Sequence, residues 1–275
     1  MPLDQIPEER EMSFIDHLEE LRWHIIRSLI AIVIFSIAAF VSKDFVIDTV
    51  ILGPSKPDFW TYQRMCQLSE ILNTPALCVQ ELTFELVSRK LSGQFMTHIT
   101  VSFVVGLILG FPYLFWEIWR FIKPGLHPRE RRASRGATFS VSFLFLLGVL
   151  FGYFIISPIS VRFFSLYQVS NTLENLFDLS SYISTVTMIV LGSGLLFQLP
   201  VVVYFLTKAG LVSSGLMKKY QKHSIIVILV LGAMITPPDP FSQILIALPL
   251  MLLYQLSIFI AKRIEKREAK ELAKT

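Results

Sequence analysis

The chain has 275 residues, of which 53% are hydrophobic and 17% charged, with 23 Phe and two Cys. A soluble domain carries roughly 25% charged residues, so a soluble fold lacks its polar surface here, and collagen, intrinsic disorder and a disulfide-dense secreted scaffold are excluded on the same composition. The net charge of +4 is therefore read by position and not as a nucleic-acid signal, because Lys and Arg collect in loops on the cytoplasmic side of a membrane.

Residues 1–20 hold seven carboxylates and no apolar run, so they are not expected to act as a cleavable signal peptide. Ser13 with Asp16 three residues later marks a helix start. Phe14, Leu18, Leu21 and Ile25 follow as an apolar stripe, while Asp16, Glu20 and His24 share another face. Residues 1–24 are thus expected as an acidic amphipathic helix on the membrane surface. That face is either simply solvated or a dock for a cationic segment.

A spanning helix needs about 20 apolar residues. The candidates are 25–41, 95–116, 137–156, 182–206, 224–236 and 241–261, the fifth with only 13 residues. The expectation is an all-α, polytopic membrane protein with six transmembrane helices, short fifth and sixth helices and an extended first outer loop. The loop 42–94 contains Cys66 and Cys78, which are either bridged in an oxidising compartment or separate thiols. Its prolines suit a small cap of short helices. The span 95–116 ends on Trp116, and Trp119 and a basic stretch follow, in which Glu130 stands among Arg129, Arg131 and Arg132. Neighbouring cations favour that carboxylate as the anion, either paired locally or open to a guest guanidinium. Gln198 lies within 182–206, where an amide must find a partner, and Pro200 frees a carbonyl nearby. Thr236-Pro237-Pro238-Asp239-Pro240 cannot continue a helix. It reads as a tight turn between spans five and six; a kinked re-entrant hairpin is the alternative. Gln243 follows it. A basic tail, 262–275, closes the chain.

Counting Lys and Arg by alternate segments gives 19 on the side of both termini and 6 on the other. Five of those 6 lie in the long 42–94 loop, where the bias counts least. Both termini are therefore expected inside. The five His are scattered, and neither a phosphate loop nor a nucleophile elbow is present. No enzyme activity, cofactor or metal is expected. A small-solute transporter would need polar residues converging at mid-membrane from several spans, and Gln198 is nearly alone there.

Three segments in order carry a resemblance: His17-Leu18-Glu19-Glu20-Leu21-Arg22, then Phe121-Ile122-Lys123-Pro124-Gly125-Leu126 with Glu130-Arg131-Arg132, then Thr236-Pro237-Pro238-Asp239 with Phe241-Ser242-Gln243. Together they resemble the TatC family, the multispanning receptor of the twin-arginine protein translocase. The resemblance implies binding of twin-arginine signal peptides of folded precursors on the cytoplasmic face of a bacterial inner membrane. It maps the two contacting carboxylates onto Glu20 and Glu130, with Arg22 and Phe121 shaping the pocket. It also implies single-span partner subunits (TatA, and TatB where present) docking near Gln198, Thr236 and Gln243, a homo-oligomeric complex, and transport driven by the proton-motive force. The family's intramembrane acid is replaced here by Gln198, which cannot titrate.

Overall fold

The computed structural model describes residues 14–74, 78, 82, 84–123, 136–170, 175–235 and 240–272. Its helices are α1 (Phe14–Val41), α2 (Trp60–Leu72), α3 (Gly93–Ile122), α4 (Ala137–Phe151), α5 (Ser157–Leu166), α6 (Leu179–Leu196), α7 (Leu199–Lys208), α8 (Ser214–Lys219), α9 (Gln221–Ile235) and α10 (Pro240–Leu272). Among the described residues, five stretches are long and apolar enough to cross a bilayer: Glu19–Val41, Gly93–Ile122, Thr138–Leu166, Leu179–Lys208 and Ser242–Arg267. The sixth apolar helix, α9, has 15 residues. At 1.5 Å per residue it reaches about 22 Å, short of a hydrocarbon core of about 30 Å.

Lipid supplies no hydrophobic drive between helices, so close packing depends on small residues. Gly106 and Gly110, one turn apart on α3, let α1 approach: a Cβ on Gly106 would lie 2.6 Å from the Ser36 nitrogen, and one on Gly110 3.0 Å from Ile32. Gly148 and Gly152 repeat the spacing at the third crossing, where a Cβ on Gly148 would lie 2.6 Å from the Ser193 carbonyl. Phe111 and Phe145 stack at 3.6 Å beside this contact.

Four elements differ from the sequence expectation. The third crossing does not stop before Pro158. A π-helical turn, Gly152–Ile156, widens the backbone, and α5 carries Pro158 in its first turn, where its missing N–H costs least. The fourth crossing is not continuous. It breaks at Phe197-Gln198, and α7 restarts with Pro200 in its first turn. The sixth helix is not short: α10 has 33 residues and runs well beyond 261, because the Lys- and Glu-rich tail continues the helix. The loop between the first two spans contains a strand as well as helices among its described residues. Here β1 (Glu85–Val87) pairs in parallel with β2 (Leu176–Asp178), joining the segments that precede α3 and α6.

That loop forms a cap at one end of the bundle. A π turn over Asp44–Ile51, a short 3-10 turn over Gly53–Ser55 and α2 fold against Tyr153, Phe154, Pro158 and Tyr182. Carbonyls left over at helix ends need donors, and hydroxyls supply them. Tyr153 donates to the Val50 carbonyl at 2.7 Å and Tyr182 to the Ile51 carbonyl at 3.0 Å. Pro158 has no N–H for the Phe154 carbonyl one turn back, and Thr61 donates to it instead. Tyr62 is fully buried, with its hydroxyl 2.8 Å from the Pro158 carbonyl and 2.9 Å from that of Pro54. Burial holds the Tyr62 phenol well above its ordinary pKa. Cys66 and Cys78 are joined by a disulfide, which ties the middle of α2 to the segment beyond it.

The opposite end is the basic one. Trp119 meets Phe205 there, and the N-terminus of α8 is clamped to α10, since Ser214 donates through its N–H and its hydroxyl to the Glu265 carboxylate. Tyr254 adds a 2.9 Å bond to the Met217 carbonyl.

Candidate functional site

At the basic end, α1 and α3 lie side by side, and their facing residues form a polar chain inside an apolar contact. Glu117 is 1% exposed, near the end of the long apolar run of α3. A buried carboxylate costs several kcal/mol unless donors surround it. Both oxygens of Glu117 are met. Tyr113, one turn earlier on α3, donates to Oε1 at 2.8 Å, and His24 of α1 contacts Oε2 through Nδ1. His24 is itself buried, and its Nε2 lies 3.9 Å from Oε1 of Glu20, one turn earlier on α1. The Phe121 ring meets the imidazole edge-on at 6.1 Å. The Glu20 side chain remains 40% exposed.

This arrangement follows from helical period. Positions 20 and 24 share a face of α1, while 113, 117 and 121 share a face of α3. Close packing of the two helices brings the faces together. Among the residues singled out in sequence, Glu20 and Phe121 therefore meet at one place, through His24. Arg22 is exposed and lies off that face of α1. Glu130 falls outside the described residues. The sequence motifs gave Glu117 no role. The signal for it is a lone carboxylate closing an apolar run of spanning length, which needs a partner on another helix.

Gln198 sits at the break in the fourth crossing, where its amide N–H donates to the Val141 carbonyl at 3.1 Å. Its side-chain oxygen is buried and has no hydrogen-bond partner among the described residues. Gln243 lies in the first turn of α10, next to Ser242, which contacts Ser160 of α5. Gln198 thus faces the start of α4, toward the basic end, whereas Gln243 belongs to the capped half. Thr236, Pro237, Pro238 and Asp239 fall outside the described residues. An open groove of about 660 Å³ borders the capped half, lined by Ser160, Tyr182, Met188, Met234 and Ile235 among others.

Comparison with known proteins places this geometry. Residues 16–249 match the family described as Sec-independent protein translocase protein (TatC). A Sec-independent protein translocase protein TatC from Blattabacterium sp. subsp. Periplaneta americana is 42% identical over 263 residues, 95% of this chain and 99% of that one. The corresponding protein of Carboxydothermus hydrogenoformans is 34% identical, covering 95% and 97%. Two crystal structures of a twin-arginine translocase receptor TatC, one of them in DDM, are each 32% identical. Their TM-scores are 0.66 and 0.69, over 90% and 89% of this chain and 98% and 99% of the matched chains. The chain belongs to the TatC family. It is a multi-pass membrane protein and a component of a protein translocase, a transport protein and not an enzyme.

Proposed function

We propose that this TatC-family chain is the receptor core of a twin-arginine translocase, binding the signal peptides of folded precursors on the cytoplasmic face of a bacterial inner membrane. The observation that carries this reading is the Glu20 carboxylate, half-exposed at the basic end and set beside Phe121 and the His24–Glu117 pair. A carboxylate matches the planar fork of a guanidinium, with two parallel hydrogen bonds. Glu20 takes one arginine and Glu130 the other, with Arg22 and Phe121 at the rim. A single exposed ion pair contributes only about 0–1 kcal/mol, so the apolar part of the signal peptide supplies much of the affinity.

In this reading the chain crosses six times. The short α9 counts as the fifth crossing, both termini are cytoplasmic and the disulfide-bridged cap lies outside. The proline-rich turn with Asp239 joins the last two spans. Single-span subunits of the TatA and TatB kind dock near Thr236, Gln243 and Gln198, whose side-chain oxygen is buried and unpartnered among the described residues. Several copies assemble into the translocation site, and the proton-motive force drives transport. Gln198 contributes a hydrogen bond and no titration.

The test is binding of a twin-arginine signal peptide and a twin-lysine control to the detergent-purified chain, repeated with Glu20→Ala and Glu130→Ala. Arginine preference lost in both variants supports the receptor site. Equal binding of both peptides, indifferent to both substitutions, removes it.

A further inference from the structure

The buried Glu117 has no exposed oxygen to offer a peptide, yet the chain keeps it charged-type, buried and doubly partnered within a membrane helix. A pair that served only to glue α1 to α3 could be apolar, since well-packed apolar residues hold helices together as well as a buried ion pair does. What an apolar pair could not do is orient a third group. The His24 ring is fixed at Nδ1 by Glu117, which Tyr113 in turn holds from its other oxygen, and the Phe121 edge limits its rotation. A ring fixed in this way holds Nε2 3.9 Å from Glu20 Oε1, within ion-pair reach but longer than a hydrogen bond, so the ring restricts where the Glu20 carboxylate can sit without bonding to it. Among the described residues, the charges of Arg27 and Arg120 act on this cluster, and Arg27 is exposed on the surface of the chain.

We propose that Glu117 and His24 are positioning residues for Glu20 and that they set the preference for arginine over lysine in the signal peptide; this rests on the receptor reading given above. A guanidinium binds through two hydrogen bonds in one plane, so it requires a carboxylate held at a defined orientation. An ammonium is a compact charge with rotatable donors and tolerates a carboxylate in any rotamer. Freeing Glu20 from His24 therefore weakens arginine binding and spares lysine binding. A purely structural role would reduce the fraction of folded receptor and lower both by the same factor.

The experiment titrates labelled twin-arginine and twin-lysine signal peptides against the full chain in detergent. Variants are Glu117→Gln and His24→Gln, with Glu20→Gln as reference. Loss of one charge-assisted hydrogen bond corresponds to about tenfold. Glu117→Gln and His24→Gln are expected to lower twin-arginine affinity by about that factor and to leave twin-lysine affinity within about twofold. Adding His24→Gln to Glu20→Gln is expected to cost nothing further, because the positioned group is already gone. If Glu117→Gln does not yield a monodisperse protein, Tyr113→Phe keeps the carboxylate and removes only its outer donor, with the same order of effects at about threefold. Equal losses for both peptides, or no loss in either, overturns the proposal while Glu20→Gln still abolishes arginine preference. If Glu20→Gln itself keeps that preference, the receptor reading fails first and this inference with it.

Discussion

At the capped end, Tyr62, Tyr153, Tyr182 and Thr61 donate to main-chain carbonyls that helix ends and prolines leave open, and a disulfide closes the loop above them. At the basic end, the comparable space holds a carboxylate, an imidazole and a second carboxylate in a row, the last half-exposed. Neutral hydroxyl–carbonyl bonds satisfy backbone groups that burial would otherwise strand, so they stiffen a surface without charging it. A row of ionisable groups is costly to bury, so it marks a place where charge serves more than packing. One end is held by neutral bonds, and the other carries a half-exposed charge above a buried pair.

That contrast can be broken in order of expected effect. Glu117→Ala strands the buried His24 and removes the acceptor of Tyr113, and a broken buried pair costs about 3–5 kcal/mol. A large fall in the thermal unfolding midpoint of the detergent-solubilised protein is expected. Replacing Cys66 and Cys78 with Ser opens the cap loop, at a cost of about 2–4 kcal/mol. The midpoint should fall again, and proteolysis should begin within α2, but peptide binding at the basic end should not change. A change in binding there would mean that the two ends are coupled. Tyr62→Phe leaves the Pro158 carbonyl buried without that donor, for about 1–3 kcal/mol, read on the same melting curve.

The smallest effect is a pH dependence at the capped end. The Ser180 hydroxyl donates to Asp178, and with the Arg89 backbone and the nearby Arg89 and Lys90 charges it holds that carboxyl below its ordinary value. A carboxyl depressed in the folded state stabilises the fold above its unfolded pKa, about 3.9 for Asp. That stability is lost as pH falls through the lower, folded value. Protease resistance of the cap should therefore decline slightly below about pH 4, and Asp178→Asn should remove the pH dependence.

Much of this molecule is legible along the chain because hydropathy is a local sum. Apolar runs of spanning length need no tertiary information to be found, whereas prolines mark only where a helix can be interrupted: Pro112 and Pro249 lie inside α3 and α10 without ending them. The three motif segments were enough to indicate the TatC family, and the match over residues 16–249 bears that out. How an interruption is resolved is a different matter. Pro158 and Pro200 look alike in sequence, yet the first sits in a helix that passes through a widened turn and the second restarts a helix after a break. The neighbours decide: Thr61 accepts the role of donor to Phe154 in one case, and Gln198 reaches Val141 in the other.

The sequence by itself determined a multi-pass helical protein of this family, with an acidic first helix and a basic stretch after the second apolar run. Only the tertiary structure decided that Glu117 and His24, 93 residues apart, satisfy each other. It also decided that β1 and β2 pair, and that Gln198 and Gln243 face different halves of the bundle. The reason is physical. Partition into a bilayer depends on each segment's own side chains, whereas a buried polar group is satisfied by whichever helix packing brings within reach.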